Sequence, residues 1–63
     1  MNIKIEINTD NSAFQESMSG ETSRILEVLV LKLRRYEIDI HPGETSNIRD
    51  SNGNNVGRLV VTK

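Results

Sequence analysis

The sequence predicts an α+β fold, with one amphipathic helix packed on a small, mostly antiparallel sheet of three or four strands. The predicted element order is β-α-(β)-β-β. Three observations support it: an alternating segment at Asn2–Asn8, one long apolar-periodic segment at Glu21–Tyr36, and a hairpin signal at Asn52-Gly53. A helix with one apolar face needs a second layer to bury it, and the remaining segments are strands. The 63 residues suffice for one domain.

The first element is a half-buried strand, Asn2–Asn8, in which apolar and polar residues alternate. Alternation places Ile3, Ile5 and Ile7 on one face, which we predict to join the core. On that basis, Ile5→Ala should cost about 2–5 kcal/mol of stability. Phe14, the only phenylalanine, is predicted to fill the core beside the end of this strand.

The central helix is predicted over Glu21–Tyr36, with Ser19 as its N-cap and an acid in its first turn. At about 100° per residue, one arc faces the core and two further aliphatic residues widen its flank. The arc contains Ile25, Leu29, Leu33 and Tyr36, and the flank contains Leu26 and Val30. Met18 projects onto the same arc if the helix begins early.

A second stripe on the helix points away from this arc and consists of Arg24, Val28, Leu31 and Arg35. Two interpretations remain open. Val28 and Leu31 are tolerated surface aliphatics, or the stripe contacts a second copy or another protein. The contact interpretation follows because one sheet cannot cover both sides of a helix, and an antiparallel helix pair about a two-fold axis would give a homodimer.

The C-terminal segment predicts a hairpin with Ile48–Asp50 as the incoming arm and Val56–Thr62 as the outgoing strand. Leu59 and Val61 should face the helix, and the outgoing strand should pair with the N-terminal one. Gly57 indicates a bulge or a close approach of two backbones.

The connection from the helix to the hairpin is less regular. Glu37–His41 is either a short edge strand or a frayed helix end followed by extended chain. In either case Pro42-Gly43 is predicted to end the element. Residues 44–47 are predicted to form a loop.

Composition excludes several classes of function. Eight basic and nine acidic residues give a net charge of −1, without the basic footprint of a nucleic-acid-binding protein. The absence of cysteine and the single histidine argue against disulfides and against thiolate or histidine metal sites. No apolar run approaches the roughly 20 residues of a membrane span. The alternating N-terminus does not resemble a signal peptide, so a cytoplasmic protein is expected.

Three patterns with possible chemistry are better explained structurally. Asp50, Asn52 and Asn54 imitate the start of a calcium-binding EF-hand loop, but Val61 stands where the bidentate glutamate is required. A hairpin turn is therefore expected there, and no metal or cofactor site is predicted.

The other two patterns are a histidine with neighbouring acids and a short basic cluster. His41 lies near Asp39 and Glu44, but so small a chain hardly encloses a substrate pocket. The basic cluster of Lys32, Arg34 and Arg35 complements the helix dipole and lacks aromatic residues for base stacking. No catalytic residue and no specific nucleic-acid binding are predicted.

Three segments in order, IEINTDNSAF, SRIL and IRDSNGNNVGRLVV, resemble a group of very small proteins encoded by tailed phages and prophages. The resemblance rests on a TDNxAF motif early in the chain and an RDxNGNxVG motif late. It implies a phage setting and the cytoplasm of a host cell, and it supplies no functional residues. Small phage accessory proteins often bind and disable a host protein, including CRISPR effectors.

The function expected from these observations is non-enzymatic protein–protein binding, with inhibition of a host factor as the leading version and a homodimer as the expected state. One alternative is a self-associating structural or assembly accessory. Another is a weak nucleic-acid-associated regulator, against which the balanced charge argues.

Overall fold

The computed structural model describes residues 1–63 and contains one helix packed on a three-stranded antiparallel sheet, as the sequence predicts. The elements in chain order are β1 (Asn2–Ile7), a 3₁₀ turn (Ser12–Phe14), α1 (Met18–Arg34), β2 (Thr45–Arg49) and β3 (Asn55–Thr62). The strand order across the sheet is β1-β3-β2, so the last strand lies in the centre.

The predicted pairing of the first and last strands is confirmed. Ile3 lies opposite Val61, and Ile5 lies opposite Leu59. Because directly opposed residues of an antiparallel pair share a face, these side chains all point to the helix side of the sheet.

Burial on that face is uneven. Leu59 and Val61 are each 1% exposed, whereas Ile3 and Ile5 on the edge strand are 52% and 44% exposed. The prediction that the β1 isoleucines form core is therefore only partly correct, since one helix does not cover all three strands. Ile7 is the isoleucine of β1 that packs against the core. The buried core consists of Phe14, Ile25, Leu29, Ile38, Ile48, Val56, Leu59 and Val61.

A β-bulge at Val56 changes the alternation of β3. Gly57 lies opposite Ile48 and Asn55 lies opposite Arg49, which leaves Val56 as an extra residue between the two pairs. The shift turns Val56 into the core, where it is 6% exposed. The bulge brings a third side chain of β3 into the core in addition to the two expected from alternation.

Gly57 also marks the predicted close approach of two backbones. A Cβ atom at this position would lie 1.8 Å from the carbonyl oxygen of Glu6 on β1. Real side chains do not tolerate such a distance, so only glycine fits between the two strands at their present spacing.

Helix α1 begins earlier than predicted. It starts at Met18, and its N-cap is Ser17, not Ser19: the Ser17 hydroxyl oxygen accepts a hydrogen bond from the Gly20 N–H at 3.0 Å. Although the helix begins early enough to include Met18, this residue does not join the core, because it is 57% exposed.

The helix ends at Arg34, and the prediction that Tyr36 belongs to its core-facing arc is wrong. Tyr36 has a left-handed φ of 58° and is 84% exposed. Its N–H donates to the Leu33 carbonyl, and the Glu37 N–H donates to the Lys32 carbonyl. This pattern is a Schellman motif, which places a left-handed residue directly after the C-cap residue Arg35 and turns the chain away.

Two predictions about the connection are also corrected. Residues 45–47 belong to β2 and not to a loop; their polar side chains concealed an edge strand whose ladder partners are on β3. Residues 37–41 form neither a strand nor a helix but a series of bends, held to the core by Ile38, which is 6% exposed.

The helix is neither long nor apolar enough to cross a membrane.

Candidate protein-interaction surface

A buried carboxylate joins the start of α1 to the β2–β3 loop. Glu21 is 8% exposed and forms a two-point ion pair with Arg24, with Nε–Oε1 and Nη2–Oε2 distances of 3.0 Å. Its Oε2 atom also accepts the Ser51 backbone N–H at 2.8 Å. The sequence predicted Glu21 only as an acid in the first turn that marks the start of the helix, and the contact with the loop was not foreseen.

The electrostatics of this junction follow from its hydrogen bonds. The Arg24 guanidinium lowers the pKa of Glu21, the Ser51 N–H adds to the effect, and partial desolvation opposes it. The same pair raises the pKa of Arg24. Both side chains are therefore held in their charged forms at neutral pH.

The structure places the four residues of the predicted stripe in different surroundings. Arg24 is committed to Glu21, and its Nη2 atom lies 3.5 Å from the Arg49 carbonyl oxygen. Val28 and Leu31 are 38% and 48% exposed. Arg35 is the exposed C-cap residue of α1. Arg24 thus links the helix to the hairpin, and the other three residues of the stripe are exposed.

A second exposed apolar group lies on the solvent side of α1. Leu26 and Val30 were predicted to flank the core, but they are 42% and 47% exposed. The reason is angular: Val30 is about 140° from Ile25 around the helix axis, beyond the arc that a three-stranded sheet covers.

These side chains line a shallow surface depression of about 410 Å³. We define the outer helix face as the residues that line it: Leu26, Glu27, Val30, Leu31 and Arg34. Of the predicted stripe, only Leu31 belongs to this face. A sequence signal was present, since these positions follow the helical spacing of i, i+1, i+4, i+5 and i+8 from Leu26.

Asp50 organises the β2–β3 loop. It is 5% exposed, its Oδ1 accepts the N–H groups of Asn52 and Asn54 at 2.9 Å, and its Oδ2 accepts the Asn11 side-chain amide at 3.0 Å. Burial alone would raise the pKa of Asp50, but the donors from Asn54, Asn11 and Asn52 outweigh it and lower the pKa. Oδ1 therefore closes the loop, in agreement with a hairpin turn at this position, and Oδ2 ties the loop to the segment before the 3₁₀ turn.

The turn contains the predicted Asn52-Gly53 pair. The Gly53 N–H donates to the Asp50 carbonyl at 3.0 Å, and Gly53 has a φ of 85°. The Asp50 N–H in turn donates to the Asn54 carbonyl at 2.9 Å, which closes a three-residue loop with glycine in the left-handed position.

The two motifs behind the phage resemblance meet in space. Asn11 of TDNxAF donates to Asp50 of RDxNGNxVG. Phe14 is 2% exposed in the core, and Gly57 permits the contact between β1 and β3. The residues that carry the resemblance therefore have structural roles.

His41 lies on the surface. Its Nε2 atom is 3.3 Å from Glu44 Oε2, and the His41 side chain is 60% exposed. None of the surface pockets is lined by His41. The arrangement is an exposed histidine–carboxylate pair without a surrounding pocket.

Comparisons with protein-family models, curated proteins and solved structures gave no match to this chain. The outer helix face therefore stands as a candidate on its exposure and chemistry alone.

Proposed function

We propose that this chain is a non-enzymatic interaction protein that binds a partner protein through its outer helix face. The observation that carries the proposal is the exposure of Leu26, Val30 and Leu31, each between 42% and 48%, around one shallow depression. Clustered aliphatic side chains on one solvent-facing surface are typical of contact sites, whereas single ones are ordinary.

The chemistry of the surface fits a helix-in-groove contact. Its centre is aliphatic, and Glu27 and Arg34 supply charges of opposite sign at its border. An apolar centre with a polar border is the usual organisation of an interface. A partner with an apolar groove would take Leu26, Val30 and Leu31, since amphipathic helices bind by laying an apolar face into such grooves.

We place this activity in a phage setting, as an accessory protein that inhibits a host factor such as a CRISPR-type effector in the host cytoplasm. Support comes from the TDNxAF and RDxNGNxVG motifs. Because Asn11, Phe14, Asp50 and Gly57 of these motifs serve the fold, the partner surface is expected outside them. The outer helix face meets that expectation.

The experiment replaces Val30 and Leu31 with glutamate and measures partner capture. A photo-crosslinking residue at position 27 would be introduced into the wild type and the V30E/L31E variant, each expressed in host cells. We expect a defined crosslinked partner with the wild type and its loss in the variant, because two buried carboxylates would oppose the contact.

A matched control adds the same charge to a different surface. Thr45→Glu with Asn47→Glu modifies exposed positions of β2 and should leave crosslinking unchanged. Far-UV circular dichroism verifies that all variants fold. If V30E/L31E captures the same partner as efficiently as the control, the outer helix face is not the contact. If the wild type crosslinks only to itself, the protein is a self-associating accessory.

A further inference from the structure

The outer edge of β1 carries unpaired backbone groups. On β3, Val61 forms two backbone hydrogen bonds with the segment leading into β2. The Gly43 N–H donates to the Val61 carbonyl at 3.0 Å, and the Val61 N–H donates to the Glu44 carbonyl at 2.9 Å. On the other side, the Asn8 N–H donates to Val56 at 2.7 Å. In an antiparallel sheet, alternate residues point their backbone groups to opposite neighbours.

The even-numbered residues of β1 therefore bond to β3. The odd-numbered ones, Ile3, Ile5 and Ile7, direct their N–H and C=O groups away from the sheet. No hydrogen bond from elsewhere in the chain reaches these groups. This edge is a complete template for one more strand.

The side chains above this edge are also left open. Ile3 and Ile5 are 52% and 44% exposed on the helix side of the sheet. Helix α1 reaches toward the opposite edge, where Arg24 contacts the Arg49 carbonyl of β2. Along the β1 edge, Ile3 and Ile5 are therefore left half-exposed, and only Ile7 packs against the core.

We propose that a second copy of this chain pairs with β1 in antiparallel orientation, so that two sheets join into one of six strands with its two-fold axis at Ile5. Identical patches meet in such an arrangement, which closes as a dimer. Each Ile3 then lies opposite Ile7 of the other copy, and the two Ile5 residues lie opposite each other.

Charge selects this register over its nearest alternative. With the axis at Ile5, Lys4 of each copy lies opposite Glu6 of the other, twice. With the axis at Lys4, the two Lys4 side chains would oppose each other. Between the two β1 strands, Lys4 and Glu6 occupy non-hydrogen-bonded pairs, in which side chains are closest. Attraction or repulsion between their charges is therefore largest there.

A lysine on an edge strand is often a protection against pairing. Here the protection is cancelled, because Glu6 stands two residues later on the same face and its Oε1 lies 2.8 Å from Lys4 Nζ. The strand β1 is thus complementary to a reversed copy of itself in backbone bonding, in apolar side chains and in charge.

The first experiment uses charge reversal and sedimentation equilibrium. Wild type should be a dimer, and Lys4→Glu and Glu6→Lys should each weaken it on the order of tenfold or more, because both cross-strand pairs become like-charged. An equimolar mixture of K4E and E6K should regain dimers, since acids on one chain then face lysines on the other. The charge reversal within each chain persists in the mixture, so recovery reports the contact between chains. Circular dichroism verifies that both variants fold.

The second experiment measures amide hydrogen exchange of the wild type at high and low concentration. The Ile3, Ile5 and Ile7 amides should be protected only at high concentration, whereas the Lys4 and Glu6 amides stay protected at both. A wild type that remains monomeric, a dimer that K4E and E6K leave intact, or a dimer split by V30E/L31E with a freely exchanging Ile5 amide would each overturn the proposal. The β1 edge and the outer helix face share no residue, so either proposal can fail alone.

Discussion

The hairpin end of the molecule, where Glu21 and Asp50 bind the β2–β3 loop, and the β1 edge differ in how many polar groups and apolar side chains they leave without a partner. At the hairpin end, Glu21 and Asp50 are almost fully buried, and every buried side-chain polar atom has a hydrogen-bond partner. At the β1 edge, Ile3 and Ile5 remain about half exposed, and the backbone groups of the outer side have no partner.

The difference separates residues that specify the fold from residues that remain available for contacts. A buried carboxylate is stable only with its full set of donors, so the hairpin end admits few alternative arrangements. Exposed isoleucines place no comparable restriction on the monomer. The comparison predicts large effects from changes near the centre of the sheet and the hairpin, and small effects from changes along the open edge.

The largest effect is expected from Gly57→Ala. The added Cβ would collide with the Glu6 carbonyl, so β1 must separate from β3, at a cost of roughly 4 kcal/mol or more in the free energy of unfolding. Urea denaturation followed by circular dichroism measures it. Gly43→Ala is the control: its Cβ meets no atom within 4 Å, and its φ of 93° adds only about 1–2 kcal/mol. Equal stabilities of the two variants would refute the close approach.

A second test compares two directly opposed residues. Leu59→Ala should cost about 2–5 kcal/mol, because Leu59 is 1% exposed in the central strand. Ile5→Ala should cost about 1 kcal/mol, well below the range expected from sequence alone, because nearly half of its surface is already in water. Denaturation at low protein concentration, where association is negligible, gives both values. Similar costs would mean that the edge is as well packed as the centre.

The third test removes the acceptor at the centre of the loop. Asp50→Ala leaves the donors of Asn11, Asn52 and Asn54 without their acceptor and should lower the Tm by roughly 10 °C. Asp50→Asn keeps one carbonyl oxygen for the two backbone donors and should lower it less. If both variants melt at the wild-type temperature, the loop does not depend on Asp50.

The smallest effect is a pH dependence that reports on the Glu21 carboxylate at the hairpin end. The pKa of Glu21 is lower in the folded protein than its ordinary value of 4.5, so the unfolded chain binds more protons in acid. The stabilisation is complete above that value and is lost as the pH falls through the lowered pKa. The Tm of the wild type should therefore decrease as the pH drops below about 4.5, and the Tm of Glu21→Gln should decrease less steeply. Parallel curves from pH 7 to about pH 3 would contradict the role of Glu21.

Much of the fold was predictable because its signals are local. Alternation identified β1, helical spacing placed Ile25 and Leu29 in the core, and Asn52-Gly53 identified the turn. The predictions failed where the determining contact is distant in sequence. Polar residues 45–47 form a strand because β3 pairs with them. The helix ends before Tyr36, and Ile38 just beyond it is buried in a core formed by elements distant in sequence.

The candidate surfaces were harder to predict for a related reason. Helical periodicity gives the direction of Leu26 and Val30 but not the width of the sheet that would have to cover them. Likewise, the sequence places Glu21 one turn before Arg24, but it does not show that Arg24 also contacts the Arg49 carbonyl, 25 positions along the chain. The width of a three-stranded sheet, not the pattern of any segment, decides which aliphatic residues remain outside.

The central place of β3 determines when this protein can fold during its synthesis. β1 and β2 do not pair with each other, so neither has a neighbour until Asn55–Thr62 leave the ribosome. At about 5–20 residues per second, β1 waits roughly 2–10 s for its partner strand. During that interval the nascent chain offers both edges of β1 to chaperones and to other nascent chains, and folding is completed only with the last strand.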